Sequence, residues 1–322
     1  MSSFGREEGT GRVDRDAPSR AHAPRRPAAI PVSDSPHVGP ELDFLGLDVL
    51  WLQVSGTVCN IACRHCFITC GPKNESHPFM TTESVLSALA TAEREGVKEY
   101  YFTGGEPFLH PDILLLIERT LAQGPLSILT NGLLLTPEVA RRLKELSDQS
   151  EYSLDLRVSL DGTTPDENDP IRGRGTFDGI LAGARHLEEA GLQPVFTVTT
   201  VHARYEGSEG RTAFMERLRS LGFSRPRTKF IPPFHIGREA HRAGEYEDGF
   251  RLSPGDLAPG EEQVLQCGSC RTVTARGVYP CPILIEEAGA RMAEQLEDSF
   301  VPIALNHPAC ATCHIEGFTC RT

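Results

Sequence analysis

No apolar run in the 322-residue chain is long enough to cross a bilayer, which argues against a helical membrane protein and a membrane partner. The first residues, Met1 to Arg6, lack the apolar stretch of a secretory signal, so a cytoplasmic setting is expected. Basic residues are in deficit: 32 Lys and Arg stand against 44 Asp and Glu, a net charge of −12. That balance argues against a nucleic-acid partner, because phosphate binding needs a basic face. Cysteine is missing from the whole middle of the chain. Four cysteines lie between Cys59 and Cys70, six between Cys267 and Cys320, and none in between. In a reducing compartment such grouped thiols are poor disulfide partners and better metal or redox ligands.

Residues 1–45 are rich in Pro, Ala, Arg, Ser and Gly and lack apolar periodicity, so they read as a disordered tail. From residue 46 the pattern alternates. Strands are expected at 50–55, 99–103, 126–130, 153–160, 193–201 and 228–231. Helices are expected at 82–95, 111–123, from Pro137, at 177–190 and at 212–221, with glycines 96, 124, 191 and 222 closing four of them. Strand–helix repetition specifies an α/β fold with a parallel sheet and right-handed crossovers. About six units fall short of the eight of a closed barrel, so residues 46–235 read as a partial (β/α)6 TIM barrel, with a doubly wound open sheet as the alternative. In either case the site belongs at the C-terminal strand ends. Residues 236–262 read as a linker or lid, and 263–322 as a small cysteine-rich domain whose folding energy would come largely from metal.

Cys59, Cys63 and Cys66 form a C-x3-C-x2-C cluster directly after the apolar run Leu50-Trp51-Leu52-Gln53-Val54. Three thiolates in one short loop suit a cubane iron–sulfur cluster and leave one iron open. A zinc loop completed by His65 or Cys70, or plain buried cysteines, are the competing readings. The expected strand ends add Thr103-Gly104-Gly105-Glu106-Pro107, Thr130-Asn131-Gly132 and Ser159-Leu160-Asp161-Gly162. Two glycines allow close backbone approach to a ligand, and a carboxylate beside them can pair with an ammonium group. Each segment alone is an ordinary turn. Gathered at one rim, they would surround the cysteine loop with hydrogen-bond partners.

Taken in order and spacing, these segments resemble those of the radical S-adenosylmethionine (SAM) enzymes, over residues 50–231. The resemblance implies a [4Fe–4S] cluster on Cys59, Cys63 and Cys66, whose open iron is chelated by the amino and carboxylate groups of SAM. Gly104, Gly105 and Glu106 match the segment that meets the methionine amino group. Ser159 and Asp161 match residues near the ribose and methionine end, with Asn131 on the same rim. Arg172 is a candidate for the SAM carboxylate, and His65 stands where the family usually has an aromatic residue. The implied reaction is one-electron cleavage of SAM to methionine and a 5′-deoxyadenosyl radical, which abstracts hydrogen from an unactivated C–H bond. It requires an external reductant of flavodoxin or ferredoxin type.

The second group comprises the pair Cys267 and Cys270, then Cys281, the pair Cys310 and Cys313, and Cys320. Two C-x2-C pairs equally suit a zinc ribbon. In this context they resemble the SPASM/twitch auxiliary-cluster extensions of radical SAM enzymes. A full SPASM domain generally supplies seven or more cysteines. Six are present here, so one auxiliary [4Fe–4S] cluster is expected on Cys281, Cys310, Cys313 and either Cys267 or Cys270, with a second as the alternative. A remaining thiol, Cys320, or Cys70 near the first motif, is then a candidate hydrogen-atom donor. The resemblance to compact twitch-type enzymes implies a small hydroxylated substrate, a sugar, aminocyclitol or other secondary metabolite, that is epimerised or oxidised. Maturation of a ribosomal peptide is the alternative, and a zinc-stabilised binding protein the third reading.

Overall fold

The structure, a computed structural model, describes residues 39–261 and 265–317. Six strand–helix units build the main body. Strand β2 (Val49–Leu52) leads through a long loop to α1 (Thr82–Glu95), and β3 (Glu99–Phe102) to α2 (Ile113–Leu121). Next come β4 (Leu126–Thr130) with α3 (Pro137–Gln149), and β5 (Leu154–Ser159) with α4 (Pro165–Arg172) and α5 (Thr176–Glu189). Strands β6 (Val195–Thr199) and β7 (Arg227–Ile231) are followed by α6 (Gly207–Ser220) and α7 (Gly237–Ala243) respectively. Neighbouring strands from β2 to β7 pair in parallel and in chain order. Consecutive addition in one direction is barrel winding; a doubly wound sheet reverses at a switch point.

Local chemistry sets the ends. Thr81 accepts the Ser84 amide at 3.1 Å to cap α1, and Gly96 closes that helix at φ 72°. Thr136 caps α3, with Pro137 at the first helical position. The core lies between sheet and helices, with Leu50, Leu52, Phe102, Ile128, Val158, Phe196 and Val198 fully buried.

Three expectations need correction. The expected tail to residue 45 ends too late, because β1 (Glu41–Leu42) pairs antiparallel with β10 (Ile303–Ala304); residues 1–38 lie outside the described residues. The expected linker over 236–262 contains helix α7. The cysteine-rich segment is not separate from the barrel either. Strand β8 (Cys270–Thr274) pairs in parallel with β2, and β9 (Gly277–Tyr279) forms a hairpin with it, extending the sheet to eight strands. The segment ends in α8 (Pro308–Ile315). Arg271 locks this extension. Its fully buried guanidinium donates to the carbonyls of Ser299, Val301, Cys267 and Cys270 at 2.6–3.1 Å and lies 4.6 Å from the centre of the Phe44 ring. Among the described residues, no helix is long and apolar enough to cross a membrane.

Candidate active site

The connection from β2 to α1 carries the first cysteines and has almost no regular structure of its own. Its base is pinched where the Cys59 amide donates to Gly71 and the Gly71 amide to Thr57. Cys59, Cys63, Cys66 and Cys70 then line one cavity of about 830 Å3, its open mouth included. Gly104, Gly105, Asn131, Ser159 and Arg172 line the same cavity, so the structure brings most of the expected residues together. Burial pushes the Cys59 thiol up to about 11 and the Cys63 thiol to about 12. Cys66 falls to about 6. The Cys70 thiol hydrogen-bonds to it, and Arg238, the Cys70 amide at 3.3 Å and His65 add to that effect against the cost of burial.

Asp161 lies behind the cavity wall as a fully buried hub. Its Oδ2 is 2.6 Å from His65 Nε2 and 2.7 Å from Arg172 Nε, and its Oδ1 accepts the Thr199 amide at 2.9 Å. Burial alone would raise this carboxyl, but Arg172, His65 and the Thr199 amide hold it well below the usual carboxylate range. An ionised Asp161 can only accept, which puts a proton on His65 Nε2. His65 Nδ1 is buried with no hydrogen-bond partner among the described residues. Arg172 reaches on to the Cys63 sulfur at 3.9 Å. Both Asp161 oxygens are engaged by the protein, so the carboxylate fixes His65 and Arg172 at the cavity wall.

Glu106 is fully buried and held by the protein: Oε1 accepts Thr130 Oγ1 at 2.8 Å and the Phe108 amide at 3.1 Å, and Oε2 accepts the Asn131 amide at 2.7 Å. The glycines before it serve the cysteine loop as well as the cavity. A Cβ on Gly105 would stand 2.1 Å from the Val58 carbonyl oxygen, and one on Gly104, at φ 140°, 2.2 Å from Ser55 Oγ. Asn131 donates from Nδ2 to Asn60 Oδ1 at 2.7 Å and to the Cys59 sulfur at 3.6 Å, so it too holds the loop.

The residue that sequence reasoning missed is Arg238, on α7. Its side chain donates to the carbonyls of Cys63 (2.7 Å), Thr69 (2.9 Å) and Cys70, and its amide to that of Cys66 (3.0 Å). Gly237 before it sits at φ 57°, where a Cβ would be 2.3 Å from the Phe67 carbonyl oxygen. That glycine signals a close approach, but nothing in the sequence names the partner.

The second cysteine group is also partly gathered. Cys267, Cys281, Cys310 and Cys313 line a cavity of about 560 Å3 whose other walls include Leu265, Ile283, Leu284 and Leu305. Burial raises the Cys267 thiol and, helped by the nearby Cys267, pushes Cys310 up to about 12. Cys270 is not part of this cavity. As the first residue of β8 it packs with Val49, Trp51 and Tyr101 at the base of the barrel, while Cys267 lines the cavity with Cys281, Cys310 and Cys313. Cys320 lies outside the described residues.

A sequence profile described as the Radical SAM superfamily matches residues 54–218 of this chain. The chain belongs to the radical SAM superfamily. Mycofactocin maturase MftC of Mycobacterium tuberculosis (strain ATCC 25618 / H37Rv) is 35% identical over 138 residues, 42% of this chain and 34% of that protein. The chain thus matches only about a third of the length of that relative. MftC of Mycobacterium ulcerans (strain Agy99) is 30% identical over 253 residues, 71% of this chain and 67% of that one. Among solved structures, anSMEcpe with bound AdoMet superposes with TM-score 0.56 at 16% identity, covering 78% of this chain and 80% of that one. SuiB of Streptococcus suis bound to S-adenosylmethionine gives TM-score 0.56 at 15% identity, covering 80% and 64%. These two structures speak for the fold.

Radical SAM enzymes use a [4Fe–4S] cluster and SAM, and the residues present fit both. The three thiols of the motif share one cavity with Cys70, with the half-buried Gly104 and Gly105 and the orphaned His65 Nδ1 beside them. Among the described residues no three Cys, His, Asp or Glu side chains converge as ligands of a single ion would. Ligands of a cubane bind separate corner irons and need not converge.

Two predictions follow from this geometry. Burial, opposed by the Asn131 and Phe108 amides and the Thr130 hydroxyl, raises the Glu106 carboxyl from 4.5 to about 7. A raised carboxylate contributes stability that is full below its unfolded value and is lost as pH rises through the folded value. Between pH 4.5 and 7 the native protein should therefore lose about 3 kcal/mol relative to Glu106→Gln, as read from denaturant titrations at several pH values; parallel pH profiles would refute the burial argument. For the cysteine loop, Arg238→Met should cut iron after anaerobic reconstitution from about eight to about four per chain, leaving only the C-terminal site filled. Unchanged iron would show that the loop does not need the clamp.

Proposed function

We propose that Cys59, Cys63 and Cys66 hold the SAM-binding cluster, and that Cys267, Cys281, Cys310 and Cys313 hold one auxiliary [4Fe–4S] cluster. The observation that carries this reading is a third cavity, of about 600 Å3, between the two cysteine groups. Phe67 and Ile68 of the first cysteine loop line it, as do Pro282 and Ile283 beside Cys281. Six of its residues also line the SAM-side cavity, and Ile283 lines the auxiliary one. A substrate seated there lies next to both centres.

The reduced cluster, with SAM bound, supplies a 5′-deoxyadenosyl radical. The chain's own residues shape where it acts. Arg238, Asn131 and the two rim glycines fix the cysteine loop. Asp161 holds Arg172 and His65 against the SAM-side cavity, with Arg172 the candidate for the SAM carboxylate. Phe67 and Phe234, in edge contact at 5.7 Å, close an apolar wall that keeps water from the reacting centre. An external one-electron reductant of flavodoxin or ferredoxin type completes the system.

For the substrate, we place peptide maturation ahead of epimerisation or oxidation of a small hydroxylated metabolite. The similarity to mycofactocin maturase MftC across 71% of this chain supports that order. Cys70 stays a candidate hydrogen-atom donor: it is buried, lines the SAM-side cavity and has its thiol held well above the usual value, first by its hydrogen bond to Cys66 and then by burial.

Anaerobically reconstituted protein should form 5′-deoxyadenosine from SAM under reduction. Cys59→Ala, Cys63→Ala and Cys66→Ala should each reduce this to background, whereas joint replacement of Cys281, Cys310 and Cys313 should spare SAM cleavage and abolish product. SAM cleavage that survives loss of the triad would end this reading.

A further inference from the structure

The auxiliary cavity is walled by cysteine and apolar side chains, with one amide and one imidazole among them. The amide belongs to Gln266, which lines the cavity beside Cys267, Cys281, Cys310 and Cys313. Gln266 opens a single 3-10 turn, Gln266–Gly268, in the step that leads into β8. Backbone contacts pin this turn. The Gly268 carbonyl accepts the Leu45 amide at 2.9 Å, and the Ser269 carbonyl accepts those of Asp48 and Val49 at 2.9 and 3.0 Å. The Ser269 amide returns to the Gln266 carbonyl at 3.0 Å. The backbone of Gln266 is thus tied to the start of β2, the strand that launches the first cysteine loop.

Both polar atoms of the side-chain amide, Nε2 and Oε1, are buried with no hydrogen-bond partner among the described residues. Turning the amide end for end exchanges the two atoms and leaves an NH2 group just as unsatisfied. A buried donor is costly unless an acceptor meets it. The apolar walls offer none, and His314, the imidazole of the cavity, does not bond to the amide. A [4Fe–4S] cluster on the four cysteines would supply acceptors, because its thiolate and sulfide sulfurs accept hydrogen bonds. Such bonds strengthen as an added electron makes the sulfurs more negative, so they favour the reduced state. The first cysteine loop shows the same provision. Asn131 donates to the Cys59 sulfur at 3.6 Å, Arg172 to that of Cys63 at 3.9 Å, and the Cys70 amide to that of Cys66 at 3.3 Å.

We propose that Gln266 donates its side-chain amide to a sulfur of the auxiliary cluster and thereby raises that cluster's reduction potential. The inference rests on the proposed function for the presence of the cluster. Gln266 is not an iron ligand. The four cysteines bind the iron, and the amide sets how readily an electron is accepted there.

The test uses the full chain with Cys59, Cys63 and Cys66 replaced by Ala, so that after anaerobic reconstitution one cluster is read. In this background Gln266→Met keeps the side-chain length and removes the donor. It should lower the ratio of reduced to oxidised cluster about tenfold at a fixed solution potential. For a one-electron couple that is a shift of about 59 mV to more negative potential. Protein carrying nitrogen-15 in its glutamine side chains should show a nitrogen coupling to the reduced cluster in pulsed electron paramagnetic resonance, and Gln266→Met should lose it. Among the described residues, Gln266 is the one glutamine that lines this cavity. Equal potentials in two proteins that each bind about four irons would overturn the proposal. Should Gln266→Met fail to hold the cluster, the labelled parent decides, and the absence of a coupled glutamine nitrogen overturns it. If the parent itself binds no iron and sulfide, the proposed auxiliary cluster fails first; with about four irons bound and neither coupling nor shift, the Gln266 assignment fails alone.

Discussion

A loop that must present three thiols to one cavity cannot also satisfy its own backbone. The segment from Cys59 to Gly71 contains no helix or strand. Its carbonyl groups therefore need donors from elsewhere, and ordering it costs about 1–2 kcal/mol of backbone entropy per residue. The molecule meets this constraint from three directions. Arg238 takes the carbonyls of Cys63, Thr69 and Cys70 from the α7 side. The Gly104-Gly105 turn presses against Ser55 and Val58 from the β3 side. From the C-terminal side, Glu286 accepts from Ser76 Oγ at 2.6 Å and from Thr69 Oγ1, while His77 lies 3.1 Å from Thr274 Oγ1 and 3.0 Å from the Ile285 carbonyl.

The third direction matters most for function. Parallel pairing of β8 with β2 makes the second cysteine group a continuation of the sheet that launches the first cysteine loop. The two groups are then fixed relative to each other by ladder hydrogen bonds. Arg271 ties the carbonyl of Cys267 to this ladder, and Cys281 follows β9 by two residues. The middle cavity is what remains between the two groups. Its dimensions are set by strand register rather than by a mobile linker, which suits a reaction that must confine a radical.

Most of the barrel was legible in the sequence because its signals are local. Apolar strands between capped helices gave six units, and the strand-end glycines, Asn131 and Ser159 fell on the rim where the structure has them. Misses arose where tertiary contact overrides local pattern. Helix α4 carries Pro170 and is only eight residues long, yet it delivers Arg172 to the site. Helix α6 begins at Gly207, earlier than the expected 212, because Gly210 packs where a Cβ would be 2.4 Å from the Arg204 carbonyl oxygen. Strand β8 follows a long, largely irregular stretch after α7 and pairs with β2, a contact that no local pattern announces. Glu106 and Asp161 lie at the expected strand ends, but a sequence shows where a carboxylate sits and not which amides will claim it. Arg238 had no signal beyond Gly237.

The central claim is that the loop held by Arg238, the glycine turn and the C-terminal segment carries a cluster with one iron open to SAM. Electron paramagnetic resonance of the reduced protein tests it most directly, in a variant whose Cys281, Cys310 and Cys313 are replaced so that only this cluster remains. The account predicts one [4Fe–4S] signal whose spectrum shifts when SAM is added. A signal that SAM leaves unchanged, or no cluster signal at all, would contradict it.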